Sequence, residues 1–165
     1  MNNKINSEVQ ASYTTRMTQT NDDEIVDQAM QILSSRIKTP ASYITCPEDT
    51  KRLLKLKMSL LGHEVFYCVF LDNKHGVLEV EEMFRGTIDV SSVYPREVVK
   101  RALEVNAAAV IFAHNHPSGV AEPSKSDENI TIKLKAACAL VDIRVLDHLI
   151  IAGNNITSLA ERGII

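Results

Sequence analysis

The stretch Ala107–Gly119 reads AAAVIFAHNHPSG, and a short polar loop joins it to a segment that opens at Ser124. Its first seven residues are apolar at successive positions, a pattern typical of a strand buried on both faces of a sheet. The segment from Ser124 repeats apolar residues at helical spacing as far as Val141. The region therefore predicts a core strand, a loop with two histidines, and a helix that packs on the sheet.

The sequence around this unit predicts further strands and helices. Residues 64–71 are rich in β-branched and aromatic residues, whereas residues 77–84 alternate apolar and acidic residues. A turn separates the two stretches, which predicts a hairpin. A short strand is predicted at 87–90 and a final core strand at 142–151. The other helices are predicted within 21–44, between Thr45 and Gly62, and from Pro95 to Val105. This order favours an α/β fold, a single domain in which helices pack on one mixed β-sheet.

Apolar residues at helical spacing also predict the buried face of each of these helices. The inward positions are expected to be Ile25, Ala29, Ile32 and Leu33 in the first helix, Leu53, Leu56 and Leu60 in the second, and Val98, Val99, Ala102, Leu103 and Val105 in the third.

Composition limits the classes of function without naming one. The chain has 165 residues, of which 45% are hydrophobic and 24% charged, which suits one domain after a polar, flexible arm at 1–20. The formal net charge of −3 gives no broad basic surface for binding a phosphate backbone. No signal peptide and no membrane span are predicted, and the three cysteines form no C-x-x-C pair, so we expect a cytoplasmic protein.

The histidines of the central stretch have the spacing of metal ligands. His114 and His116 lie two residues apart at the end of a strand, where side chains i and i+2 project from the same face. Asp127, in the first turn of the next helix, can supply a third ligand, and a catalytic zinc needs three ligands with a fourth position open. Imidazole and carboxylate ligands suit Zn²⁺, with Fe²⁺, Mn²⁺ and Ni²⁺ as alternatives.

Ser124 and Asp127 also have the spacing of a capping box, in which each side chain bonds the other residue's backbone. A purely structural interpretation of this pair is therefore open. The two roles are compatible, because Ser124 can cap the helix while Asp127 faces an ion.

These residues resemble a known family. The run H-x-H-P followed by S-x-x-D matches the JAMM motif of JAB/MPN metalloproteins, and the wider context is similar to the RadC family of bacteria. That context consists of Met83-Phe-Arg-Gly-Thr87, Val93-Tyr-Pro-Arg-Glu97, His114-Asn-His-Pro-Ser-Gly119 and Leu146-Asp-His-Leu-Ile150. The resemblance implies a JAB/MPN fold, which is cytidine-deaminase-like, over a catalytic domain at 45–165.

The resemblance also implies an activity and a role for each site residue. His114, His116 and Asp127 would bind one Zn²⁺, and Glu64 would activate the attacking water as a general base. Ser124 would donate a hydrogen bond to the water or to the oxyanion that develops. The implied reaction is hydrolysis of an amide in a peptide or protein substrate, by a metallopeptidase or isopeptidase.

Two departures from the family pattern bear on the function, and the second weakens the association with DNA repair. JAMM proteases that act on ubiquitin-like substrates usually have Ser or Thr between the histidines, whereas this chain has Asn115, as RadC-like proteins do. Full-length RadC-like chains also carry a helix-hairpin-helix module, and we expect none in the roughly forty residues before the catalytic region. The alternative is a RadC-type accessory protein associated with DNA repair or mobile elements, without peptidase activity.

Other interpretations of the same residues are weaker. A zinc nucleobase deaminase needs H-x-E and P-C-x-x-C, and the sequence has neither. The string His114-Asn115-His116 does not indicate an HNH nuclease, because the residues of that motif are dispersed along a ββα unit rather than contiguous. Glu81 and Glu82 are rivals of Glu64 as the base, although they are more typical of a solvated hairpin face. Of Asp147 and His148, one is expected to point inward in a hydrogen-bonded structural role.

Overall fold

A computed structural model describes residues 22–35, 47–86 and 93–165. Over these ranges the chain forms four helices and five strands. The helices are α1 (22–35), α2 (Pro47–Met58), α3 (Pro95–Glu104) and α4 (Lys125–Ala139). The strands are β1 (Val65–Leu71), β2 (Val77–Arg85), β3 (Ala109–Asn115), β4 (Arg144–Ala152) and β5 (Asn155–Ser158). None of these helices has the length and apolar character needed to cross a bilayer.

The five strands form one mixed sheet in the order β2-β1-β3-β4-β5. β3 and β4 are parallel, with α4 as the connection between them, and the other neighbouring strands pair antiparallel. The prediction of an α/β fold with a mixed sheet is confirmed. Because β3 and β4 lie side by side and parallel, the end of β3, the start of α4 and the middle of β4 come close together.

Alternation along the strands divides the core into two layers. In β1, Phe66, Cys68 and Phe70 pack with residues of α3 and α4, whereas Val65 and Val69 pack with residues of α2 on the opposite face. Cys68 and Cys138 are both buried and free, as expected of small core residues. The sheet is therefore covered by α3 and α4 on one face and by α2 on the other.

The same alternation determines where the residues at the end of β3 point. Phe112 belongs to the layer beside α4, and Ala113 to the layer beside α2. His114 follows the register of Phe112 and so lies on the α4 face, while Asn115 lies on the α2 face. His114 and Asn115 therefore project from opposite faces of the sheet.

Some predicted inward positions are wrong. Leu60 is 81% exposed, because α2 ends at Met58 and the helical spacing does not continue to that residue. Leu103 is 56% exposed, because α3 contacts the core through the narrow face that carries Val98 and Ala102. Ile25 and Ile32 of α1 are also more than half exposed.

Two predicted elements lie wholly or partly outside the described residues, and one strand was not predicted. The strand at 87–90 lies outside the described ranges, as does the part of the predicted N-terminal helix beyond residue 35. β5, of sequence NITS, has too few apolar residues to show strand alternation, and it pairs with β4 after a turn at Gly153.

Candidate metal centre

The predicted metal ligands come together at the end of β3. His114 is the penultimate residue of β3, His116 follows the strand, and Asp127 lies in the first turn of α4. The ligand atoms of these three residues all lie within 4.8 Å of one another. The two Nε2 atoms are 2.9 Å apart. The Asp127 carboxylate places Oδ1 3.2 Å from His114 Nε2 and Oδ2 3.5 Å from His116 Nε2.

These separations fit a small divalent ion. Two ligand atoms that each lie about 2.0–2.1 Å from a tetrahedral zinc are about 3.3 Å from each other. The separations of 2.9, 3.2 and 3.5 Å bracket that value. Neutral imidazole nitrogen and carboxylate oxygen are also ligand types that divalent first-row metals accept. His114, His116 and Asp127 could therefore bind one metal ion.

The loop after β3 orients His116. The His116 Nδ1–H donates to the carbonyl oxygen of Val120 at 2.8 Å. A carbonyl can only accept, so the neutral ring keeps its lone pair on Nε2, the atom that faces His114 and Asp127. Gly119 has a φ of 79°, and this left-handed conformation turns the chain so that Val120 folds back to the ring.

The capping box at the start of α4 orients Asp127. The backbone N–H of Asp127 donates to Ser124 Oγ at 3.2 Å, while the Ser124 backbone N–H and hydroxyl donate to Asp127 Oδ2 at 2.7 and 2.6 Å. Both Ser124 contacts fall on Oδ2, and Oδ1 faces His114. The capping role and the ligand role thus coexist in one geometry, because the cap holds the carboxylate that points to the metal centre.

The charges of the centre favour an ionised Asp127. Burial alone raises the pKa of the Asp127 carboxyl, but the adjacent imidazole groups of His114 and His116 outweigh burial and hold that pKa well below its ordinary value. The adjacent Asp127 carboxylate raises the pKa of His116, against the opposing effect of burial. A carboxylate between two imidazoles is an anionic site that attracts a cation.

Glu64, the predicted general base, lies at the start of β1 beside the centre. Val65, the next residue, is followed by Phe66, which pairs with His114 across the sheet. The Glu64 carbonyl accepts a hydrogen bond from the Gly86 N–H at 2.8 Å. The negative charge of the Glu64 side chain also contributes to the raised pKa of His116, although less than Asp127 does. Its role as the general base stays a prediction.

The two rival glutamates are engaged elsewhere. Glu81 accepts a hydrogen bond from Arg101 at 2.6 Å on the hairpin surface. Glu82 accepts one from Arg85 at 2.8 Å, and this hydrogen bond lowers the pKa of Glu82. Both carboxylates are thus hydrogen-bonded to arginines, so the structure favours the hairpin-face interpretation for them.

The structure adds residues to which sequence reasoning assigned no role in the site. The ring of His148 is fully buried and lies between His114 and Thr131, with its Nε2 2.8 Å from His114 Nδ1. Asp147 instead faces β5 and accepts from the Ser158 hydroxyl at 2.7 Å. The expectation that one of this pair points inward is confirmed. Alternation alone could not say which one, because strand phase depends on register with β3.

A cleft of about 370 Å³ adjoins the centre on the side of His116. Its walls come from the end of α2 and the loop after it, the loop after β3, and the end of β4. The lining is largely apolar and includes Met58, Leu60, Leu61, Pro117 and Ile151. Such a concave apolar surface beside polar groups is typical of a ligand site.

The chain is similar to known proteins over most of its length. The family model of the RadC-like JAB domain matches residues 44–164. A UPF0758 protein of Thioalkalivibrio sulfidiphilus is 61% identical over 122 residues, which is 74% of this chain and 54% of that protein. A UPF0758 protein of Nitrosococcus oceani is 62% identical over 122 residues, with the same coverage of 74% and 54%.

A shorter relative is covered more completely. A UPF0758 protein of Vibrio cholerae is 52% identical over 139 residues, which is 84% of this chain and 87% of that protein. The chain spans about half the length of the first two relatives. Their names specify no reaction. Since the family model covers most of the chain and these identities lie between 52% and 62%, the chain belongs to the RadC-like JAB domain family.

Proposed function

We propose that this protein is a zinc-dependent amide hydrolase of the metallopeptidase or isopeptidase type. The observation that carries the proposal is the convergence of the ligand atoms of His114, His116 and Asp127 within 4.8 Å, beside a cleft, with the charge of Glu64 contributing to the raised pKa of His116. Membership in the RadC-like JAB domain family supports it, because the chain has the complete H-x-H-P and S-x-x-D pattern of the JAMM motif.

Each residue has a distinct part in the proposed reaction. A bound zinc would polarise the substrate carbonyl and lower the pKa of a water molecule from about 15.7 to about 7. Glu64 accepts the proton of the attacking water as the new C–O bond forms, and it returns that proton to the amide nitrogen as the C–N bond breaks. Ser124 holds the Asp127 carboxylate through its hydroxyl. Its donation to a developing oxyanion stays a prediction.

The cleft beside His116 is the proposed substrate site. A peptide lying there would place apolar side chains against Leu61 and Ile151 and bring a backbone carbonyl towards the metal centre. A peptide or protein substrate therefore suits this surface. The net charge of −3 gives no corresponding support for a nucleic-acid partner.

Metal analysis tests the first half of the proposal. Purified protein loaded with zinc and freed of excess should retain one ion per chain, measured by mass spectrometry of the metal. His116→Ala should lose the ion, whereas His75→Ala, which changes a histidine in the β1–β2 turn, should retain it. Retention of a full equivalent by His116→Ala would rule out the proposed ligand set.

Cleavage of a defined peptide mixture tests the second half. The zinc-loaded protein is incubated with peptides from a bacterial protein digest, and new termini are counted by mass spectrometry. Glu64→Gln should keep its zinc and cleave at least about 100-fold more slowly, because it lacks a proton acceptor. Equal turnover in that variant would assign the base elsewhere. A zinc-loaded wild type that cleaves nothing but binds duplex DNA in a salt-dependent way would favour the accessory alternative.

A further inference from the structure

A buried hydrogen-bond chain connects the metal centre to the backbone of α4. His114 Nδ1 lies 2.8 Å from His148 Nε2, and His148 Nδ1 lies 2.6 Å from Thr131 Oγ1. The Thr131 hydroxyl in turn lies 2.5 Å from the carbonyl oxygen of Asp127. The chain therefore begins at one candidate metal ligand and ends on the backbone of another.

The directions of the hydrogen bonds around Thr131 follow from the Asp127 carbonyl, at the end of this series. The Asp127 carbonyl can only accept, so the single proton of the Thr131 hydroxyl must point to it. The Thr131 oxygen then has only lone pairs to offer to His148, so His148 Nδ1 must carry a proton.

The same reasoning continues to the metal centre. The His148 ring has 0% exposure and lies between two polar partners in the core, where a charged imidazolium would be costly. A neutral ring with its proton on Nδ1 has a lone pair on Nε2, and this lone pair accepts from His114 Nδ1–H. A neutral His114 then has its lone pair on Nε2, which faces His116 and Asp127.

We infer that His148 and Thr131 are positioning residues that preset the tautomer of His114, so that its Nε2 is ready to bind metal before any ion arrives. Neutral His116 also has its lone pair on Nε2, because its Nδ1–H donates to the Val120 carbonyl. Two lone-pair nitrogens 2.9 Å apart, with a carboxylate beside them, form a cluster of acceptors that a cation stabilises.

Nuclear magnetic resonance of the metal-free protein tests the tautomers directly. Long-range proton–nitrogen correlations distinguish a protonated from an unprotonated ring nitrogen. The protein has only five histidines, so their signals can be assigned individually. Near neutral pH, His148 should show a protonated Nδ1 and an unprotonated Nε2, and neutral His114 should show the same. A His148 ring protonated on Nε2 would overturn the inference, because the chain would then run in the opposite direction.

Zinc affinity tests whether the hydrogen bonds among Thr131, His148 and His114 strengthen metal binding. Thr131→Val keeps the shape of the side chain and removes the acceptor for His148, so the zinc dissociation constant should rise about 10–100-fold in competition with a chelating dye. Thr131→Ser retains the hydroxyl and should restore the affinity. Thr50→Val serves as the control, since Thr50 is a buried threonine of α2 on the other face of the sheet. Unchanged affinity in Thr131→Val would overturn the positioning role.

The inference that the His114 tautomer is preset for metal binding rests on the proposed function, but the two can fail separately. If Thr131→Val does not fold, the tautomers of the wild-type protein still decide the inference. A wild type that binds no zinc while His148 has the expected tautomer overturns the proposed function and leaves the hydrogen-bond chain in place. Tight zinc binding together with His148 protonated on Nε2 overturns the chain and leaves the proposed function in place.

Discussion

The side chain of Asn115 accepts a hydrogen bond from the backbone N–H of Val65 at 2.8 Å. Its amide nitrogen also donates to the carbonyl oxygens of His63 at 3.0 Å and Leu61 at 3.4 Å. One buried side chain thus binds the backbone on both sides of Glu64. An amide suits this task because it accepts and donates at once, whereas a serine hydroxyl at this position would have one proton for two carbonyls.

Replacing Asn115 should loosen the start of β1. Asn115→Ala leaves a buried N–H and two carbonyls without their partner, so we expect the free energy of unfolding to fall by about 1–3 kcal/mol in urea denaturation. Hydrogen exchange at the Val65 amide should also become faster. Asn129→Ala, which changes an exposed asparagine of α4, should alter stability by no more than about 0.5 kcal/mol. An unchanged Val65 exchange rate in Asn115→Ala would contradict this account.

Metal binding should stabilise the fold. An ion that binds only the native state at 100 times its dissociation constant adds about 2.7 kcal/mol to the free energy of unfolding. Zinc should therefore shift the urea midpoint upward, and a chelator should reverse the shift. Asp127→Asn should abolish most of the zinc effect, while Glu64→Gln should keep it, because Glu64 is not among the candidate ligands. Equal zinc stabilisation of Asp127→Asn and wild type would exclude Asp127 as a ligand.

The capping box should be measurable apart from the metal. Ser124→Ala removes the side-chain acceptor for the Asp127 N–H and should cost about 1 kcal/mol of stability in metal-free protein. The matched control is Ser126→Ala, an exposed serine in the same helical turn, which should change stability by less than about 0.5 kcal/mol. Similar losses in both variants would show that the cap contributes nothing specific.

The Glu82–Arg85 pair should give a defined dependence of stability on pH. The hydrogen bond from Arg85 holds the pKa of Glu82 below its ordinary value of 4.5. The native state therefore binds fewer protons than the unfolded state near that pH, and the pair stabilises the fold above pH 4.5. This stability is lost as the pH falls through the lowered pKa.

Glu82→Gln makes that dependence measurable. Because the pair is partly exposed, the variant should lose no more than about 1 kcal/mol at neutral pH, and its stability should converge with wild type in acid. Arg85→Gln should lose a similar amount, and the double variant should lose less than the sum of the two. A stability difference between Glu82→Gln and wild type that persists unchanged in acid would contradict the assignment.

Much of the architecture follows from local patterns. The apolar run in β3, the hairpin of β1 and β2, and the amphipathic α4 are all visible because burial imposes a period on the sequence. The prediction failed where a helix ended early, as at Leu60, or where its contact face was narrow, as at Leu103. Helix ends and the width of a contact face depend on neighbouring elements, which local spacing does not reveal.

The candidate site, too, could be predicted only in part from the sequence. The spacing of His114, His116 and Asp127 identifies them as possible ligands, because side chains i and i+2 of a strand share a face and the start of the next helix returns to that end of the sheet. The placement of Thr131 and His148 could not be predicted. Their contacts with each other and with His114 depend on the register of β3 with β4 and on how α4 lies against the sheet.

By itself, therefore, the sequence identified the candidate ligands: two imidazoles and a carboxylate at metal-ligand spacing. Only the tertiary structure decided how those groups are held. Asn115 and His148 act on opposite faces of the sheet, on backbone and side chains more than thirty residues away along the chain. Strand pairing creates such contacts, and their hydrogen-bond directions follow from which donors and acceptors the fold brings together.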